Sequence, residues 1–153
     1  MQIDESTCAA STIRILQAAT DIALRGRETE VEPHHVLLAM CEDPSTIGHF
    51  EKVFGFSVSA TRESLDRTYG ARGHTSDERT SPSIKYSADL TEGFERAYSL
   101  LEELRFTRVN SITLLVGLIH PENTDQRMAD VFKGLGLTYA EIFSKASAKL
   151  PRE

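Results

Sequence analysis

The sequence has no tryptophan and only two cysteines among its 153 residues. Cys8 and Cys41 stand far apart and neither belongs to a CxxC pair, so no disulfide framework is indicated. Two free thiols in a reducing compartment fit this spacing better. No run of about 18 apolar residues occurs, which excludes a spanning helix. Met1–Glu5 is acidic and lacks the apolar stretch of a signal peptide, so a cytoplasmic location is expected. There is no G-x-x-x-x-G-K-[ST] stretch and no G-x-S-x-G elbow, hence no phosphate-cradling loop and no serine nucleophile of that type. Positive charge is also in deficit. Seventeen Lys and Arg stand against 23 Asp and Glu, for a formal net charge of −6. Such a surface repels phosphates, so neither nucleic acid nor an anionic membrane is an expected partner.

What remains is an ordinary globular composition, 40% hydrophobic and 26% charged. A chain of this length buries roughly 70% of its unfolded surface, enough for a real core. Its apolar residues recur at helical spacing. Ser6 or Thr7 is placed to cap a first helix whose stripe is Ile13, Leu16, Ala19, Ile22 and Ala23, with Gly26 as its stop. Pro33 opens a short, dense apolar helix through Val36, Leu37, Leu38 and Met40. A third helix is predicted from about Ser45 to Phe54, with Gly55 ending it, and a fourth from about Ser59 to Tyr69. Residues from about 70 to 86 are polar, rich in Gly and Ser and without apolar period, and read as a mobile linker. The pattern then restarts. A helix from Ser87 carries Leu90, Phe94, Ala97, Tyr98 and Leu101. A turn at Arg105–Arg108 leads to the apolar Ser111–Ile119. Helices at Thr124–Leu135 and Tyr139–Leu150 follow, with Gly136 between them.

The restart is an internal repeat. At an offset of about 78 residues, Ala19 meets Ala97, Val31 meets Val109, Leu37 meets Leu115 and Leu38 meets Val116. After a small insertion, Gly55 meets Gly136. The expected fold is therefore all-α, a single domain of two four-helix units related by a pseudo-twofold axis. Repeat one spans about 6–69, the linker about 70–86 and repeat two about 87–150. Each short apolar helix should be the buried centre of its unit, and the seam between units is a natural place for a binding groove.

"EPHHVLLAMCED" with "IGHFEKVFGFSV", and "NSITLLVGLIH" with "MADVFKGLGLTYAEI", resemble the paired repeats of the Clp N-terminal domain family. The likeness runs from about residue 6 to 149. In that family the domain precedes ATP-driven unfoldase rings and receives substrate or adaptor proteins, and it is itself non-catalytic. The resemblance thus implies a chaperone or protease-regulatory docking domain with no cofactor. Its implied partners are substrate or adaptor proteins and a Clp ATPase ring in cis or in trans. Two forms fit: the front end of a longer ATPase, or a free-standing repeat protein that competes for adaptors or ligands. Some members bind phosphorylated arginine through the Glu of a Glu-His pair in each copy. The matching positions here are His34 and Ile112, and Ile112 offers a guanidinium no acceptor. Glu32 stands near the first of these positions. Phosphoarginine binding of the usual type is therefore expected to be weakened or lost.

The residues expected to line the seam are His34, His35, Ile112 and Thr113. His35 also matches the family's structural histidine. Phe56 and Phe106, beside turns, are candidate groove walls. The acids Glu28, Glu30, Glu32, Glu42 and Asp43 read mainly as a solvated face, with a rim attracting basic peptides as the sharper reading. A rival of another class is a small metal-binding or thiol-dependent enzyme using His34, His35 and Cys41. Adjacent helical residues point about 100° apart, however, and a zinc site needs three or four ligands.

Overall fold

The computed structural model describes residues 5–26, 28–55, 57–69 and 85–149. Nearly everything described is helical. The sequence-predicted positions of Phe56 and of residues 70–84 of the linker lie outside the described residues.

In the first repeat, α1 (Ala10–Arg25) buries Thr12, Ile15, Leu16, Ala19 and Ala23. The expected stripe is present, with Ile13 and Ile22 packed at its edges. The start differs from the sequence reading. Ser6 and Thr7 lie in a 3-10 turn, and the N-cap is Ala9, which offers no side-chain cap. The reason is tertiary: Cys8 and Ala9 are held extended against Val109 of the second repeat. The Ala9 N–H donates to Val109 O at 2.8 Å, and the Val109 N–H donates to Thr7 O at 2.9 Å.

A two-residue strand β1 (Glu30–Val31) leads into α2 (Pro33–Met40), with Pro33 at the helix start. Then come α3 (Pro44–His49), capped by Asp43, a π-turn at Phe50–Phe54, and α4 (Val58–Tyr69). The second repeat opens with strand β2 (Lys85–Tyr86), residues assigned to the linker from sequence, which pairs in parallel with β1. Helix α5 (Ala88–Ser99) is capped by Ser87 and breaks at Leu100 into a single turn, α6 (Leu101–Leu104). Arg105, in a left-handed conformation at φ 69°, ends it. Helices α7 (Ser111–Leu118), α8 (Gln126–Gly134) and α9 (Tyr139–Lys149) complete the chain. Gly55 and Gly136, the repeat-equivalent stops, share a positive φ of 67° and 73°, a conformation that other residues adopt only with strain.

The two repeats exchange extended segments. The stretch before α1 pairs with Val109, and the stretch before α5 pairs with Val31, where the Ser87 N–H donates to Val31 O at 2.9 Å. The same offset of about 78 residues that relates Val31 to Val109 relates Cys8 to Tyr86. Each repeat's first helix is therefore anchored on the other repeat, so neither unit closes its own core alone. One hydrophobic cluster runs through both.

The short helices occupy the centre, as their composition demands. Every residue of α7 is buried, and α2 exposes only part of His34 and Leu38. At the α5–α7 crossing the backbones nearly touch. A Cβ on Gly117 would lie 2.3 Å from Gly93 O, and one on Gly93 would lie 2.6 Å from Leu118 Cδ2. Two glycines are what permit this approach. Among the described residues no helix is long and apolar enough to cross a membrane.

Candidate protein-docking site between the repeats

The N-terminus of α2 decides how its two histidines are used. Glu32 is the N-cap, and its side chain accepts from the backbone of His35. In return the Glu32 N–H donates to His35 Nδ1 at 2.9 Å. This is a capping box with histidine in the role usually taken by Glu or Gln. His35 is thereby turned inward and buried. In the second repeat Asn110 and Thr113 do the same: Thr113 N–H donates to Asn110 Oδ1 and Asn110 N–H to Thr113 Oγ1, both at 2.9 Å. The Ile112 N–H also donates to Asn110 Oδ1, and its side chain is buried.

The four residues expected at the seam are therefore not one surface. His35, Ile112 and Thr113 are buried and serve caps and core, whereas His34 is half-buried. Its ring lies flat on Tyr69, the last residue of α4, with centroids 3.7 Å apart and planes 9° from parallel. Arg127, from the first turn of α8, sits over the Tyr69 ring with its guanidinium carbon 4.6 Å from the centroid. A ring already stacked on one face leaves the other for the guanidinium, so Tyr69 lies between His34 of repeat one and Arg127 of repeat two.

Carboxylates from both repeats surround this stack. Burial first, then the charges of Glu28, Glu30, Asp125 and Asp89, raise the Glu32 carboxyl above its ordinary pKa. Asp125 is raised in the same sense, by burial first and then by Asp89, although as the α8 N-cap it accepts from the Met128 N–H at 3.1 Å. The Tyr69 hydroxyl is pushed well up, by burial and then by Asp125, and it has no hydrogen-bond partner among the described residues. Glu32 of one repeat thus lies near Asp89 and Asp125 of the other, with Glu28 and Glu30 close to Glu32. Arg127 offsets part of the charge at Asp125.

Tyr69, Asp89, Asp125 and Arg127 carry this junction, and sequence reasoning did not single them out. Only the acidic run ahead of α2 gave a signal. Glu42 and Asp43 belong elsewhere, with Arg62 and Arg14 respectively. Phe106 is buried in the core, and its backbone N–H folds back onto Leu101 O at 3.0 Å. Cys41 is buried, and burial pushes its thiol up to about 12, the reverse of what a nucleophile needs. Among the described residues, no three His, Cys, Asp or Glu side chains gather as metal ligands.

Residues 9–135 match the model of the Clp repeat (R) N-terminal domain. No curated protein matches the sequence. Solved structures share the fold. One, from a malarial protein secretion system, superposes with a TM-score of 0.80 at 23% identity, covering 94% of each chain. The Hsp104 N-terminal domain from Candida albicans gives 0.69 at 19% identity, covering 92% of this chain and 89% of that one. A ClpV N-domain in complex with a VipB peptide gives 0.66 at 18% identity, covering 98% and 97%. With the family model matching most of its length, the chain belongs to the Clp repeat N-terminal domain family.

Proposed function

We propose that this domain is a non-catalytic docking module of a Clp-type unfoldase or protease system, and that the junction of its two repeats receives basic segments of substrate or adaptor proteins. The observation that carries this reading is the gathering of Glu32, Asp89 and Asp125 from both repeats around the His34–Tyr69–Arg127 stack, with Glu28 and Glu30 close to Glu32. Glu32 and Asp125, raised by burial first and then by neighbouring carboxylates, gain from an incoming cation. The peptide bound by a ClpV N-domain of the same fold supports protein recognition as the general role. The same surface serves a domain attached to an ATPase ring and a free-standing one competing for adaptors. At His34 and Ile112 the paired acceptors of a phosphoarginine reader are missing, and the acidic rim repels a phosphate.

The test is fluorescence anisotropy with a labelled Lys/Arg-rich peptide and an acidic peptide of equal length. The basic peptide is expected to bind, to weaken as salt rises, and to weaken further in a Glu32→Gln, Asp89→Asn variant, which keeps the acceptor oxygens of both side chains. Equal binding of both peptides, or binding indifferent to the double substitution, would contradict the assignment.

A further inference from the structure

A concave site lies within repeat two and meets the repeat junction at Asp125. It is a cleft of about 280 Å³ between the end of α7, the loop 120–125, α8 and the start of α9. Its apolar surface comes from Leu118, Ile119, Ala129, Phe132 and Leu137. The loop that walls it is clasped to α5. Arg96 Nε donates to Asn123 Oδ1 at 2.7 Å, Asn123 Nδ2 donates to Gly117 O at 2.8 Å, and the Thr124 N–H donates to Glu92 Oε1 at 3.1 Å. The wall is thus preformed, as ligand pockets usually are.

Two donors face this apolar floor. His120 Nδ1 accepts from the Glu122 N–H at 3.1 Å, which leaves the ring proton on Nε2, and the ring meets Tyr139 edge-on at 4.9 Å. Burial, and then the charge of Arg96, lower the imidazole pKa and favour this neutral form. Lys133, on the last turn of α8, lines the cleft and makes no ion pair among the described residues. The cleft's acid, Asp125, is engaged as the α8 N-cap. Glu122, on the same loop, reaches Arg96 at 3.6 Å. Asp125 and Lys133 stand at opposite ends of α8, about 12 Å apart along its axis, so the charge left to be matched at the Lys133 end of the cleft is positive.

We propose that this cleft binds the C-terminal residue of a partner polypeptide ending in a bulky apolar amino acid. The apolar side chain enters between Phe132 and Leu137, and the free carboxylate meets Lys133 and the His120 Nε2–H. The volume suits one large side chain with its terminal carboxylate. A charge-assisted hydrogen bond from Lys133 contributes about 1.5–3 kcal/mol, so losing the carboxylate weakens binding by roughly ten- to a hundredfold. The cleft shares Asp125 with the repeat junction, and the two sites are told apart by Lys133 and His120 in the cleft and His34 and Tyr69 at the junction.

The test is an NMR titration of the ¹⁵N-labelled protein with Gly-Ser-Gly-Ser-Gly-Ser-Leu as the free acid, its C-terminal amide, and the same peptide ending in Asp. The free acid is expected to shift resonances of Leu118, His120, Phe132, Lys133 and Leu137, and not those of His34, Tyr69 or Arg127. The amide and the Asp peptide should bind at least about tenfold more weakly. Lys133→Gln, on an exposed position, should erase the difference between acid and amide. Ala129→Leu, which fills the cleft from its rim, should abolish binding with the fold intact by circular dichroism. Equal shifts from acid and amide, no shifts at millimolar peptide, or an unchanged preference in Lys133→Gln would overturn the proposal. N-acetyl-leucine binding as tightly as the peptide would overturn the choice of a polypeptide end over a small apolar acid.

Discussion

His35 and Thr113 do the same work at equivalent places in the two repeats: each accepts a 2.9 Å hydrogen bond from the N-cap N–H three residues earlier, Glu32 in one case and Asn110 in the other. The chemistry differs, an imidazole nitrogen against a hydroxyl oxygen, but the capping box is shared. Thr113→Val keeps the shape and strands a buried Asn110 donor. A loss of about 1–3 kcal/mol in urea unfolding is expected, with peptide affinity at the junction unchanged. A loss of affinity without a loss of stability would restore Thr113 as a contact residue.

Much of this architecture was legible in the sequence. The offset that lays Val31 on Val109, the two glycine stops and the two apolar helices are local patterns, and each appears in the fold. The junction was not legible. Its members Tyr69, Asp89, Asp125 and Arg127 come from both repeats and meet only because the repeats exchange their extended segments. No spacing along the chain encodes that. Ile112 and Thr113 were expected at the seam because the motif runs through them. Direction in the first turn of a helix, however, is set by the cap, and the cap turns both inward.

The α5–α7 crossing makes a sharp packing prediction. Gly117→Ala would place a methyl 2.3 Å from a backbone oxygen, which has little freedom to retreat. The expected cost is about 1–3 kcal/mol or more, the range of overpacked cores. Gly134→Ala, with nothing within 4 Å, is the control and should be neutral or stabilising. Equal midpoints for the two variants in thermal unfolding would contradict the close approach.

Asp43 gives a pH dependence with a definite sign. Arg14 donates to it twice, at 2.9 and 3.2 Å, and Thr46 donates from its N–H and its hydroxyl. The Arg14 hydrogen bond is the largest cause that holds its carboxyl down to about 2. A folded-state pKa below the unfolded one means stability that is present above about pH 4 and lost as pH falls towards 2. Because Arg14 is half exposed, solvent screening reduces what the pair contributes to stability, and Asp43 also caps α3. Asp43→Ala should cost about 1–2 kcal/mol at neutral pH and flatten the acid limb of the stability curve. An unchanged acid limb would rule out Asp43 as its source.

The Tyr69 hydroxyl is buried without a partner among the described residues, while the ring is held from both faces. Tyr69→Phe should leave stability unchanged or raise it by up to about 1 kcal/mol. Tyr69→Ala should cost about 3 kcal/mol, as for other truncated aromatics. A clear loss in the Phe variant, read by chemical denaturation, would mean that the hydroxyl is bonded.

Phosphoarginine offers a negative prediction. Calorimetric titration of the free amino acid should show no micromolar binding, because Ile112 is buried and apolar and His34 is committed to Tyr69. Micromolar binding at two sites would contradict the reading of both positions.

The most direct test of the central claim is to map a basic peptide by NMR onto the labelled protein. Shifts centred on His34, Tyr69, Asp89 and Arg127, weakening together as salt is raised, are the predicted result. A salt-insensitive footprint elsewhere on the molecule, with those four resonances unmoved, would contradict docking at the junction of the repeats.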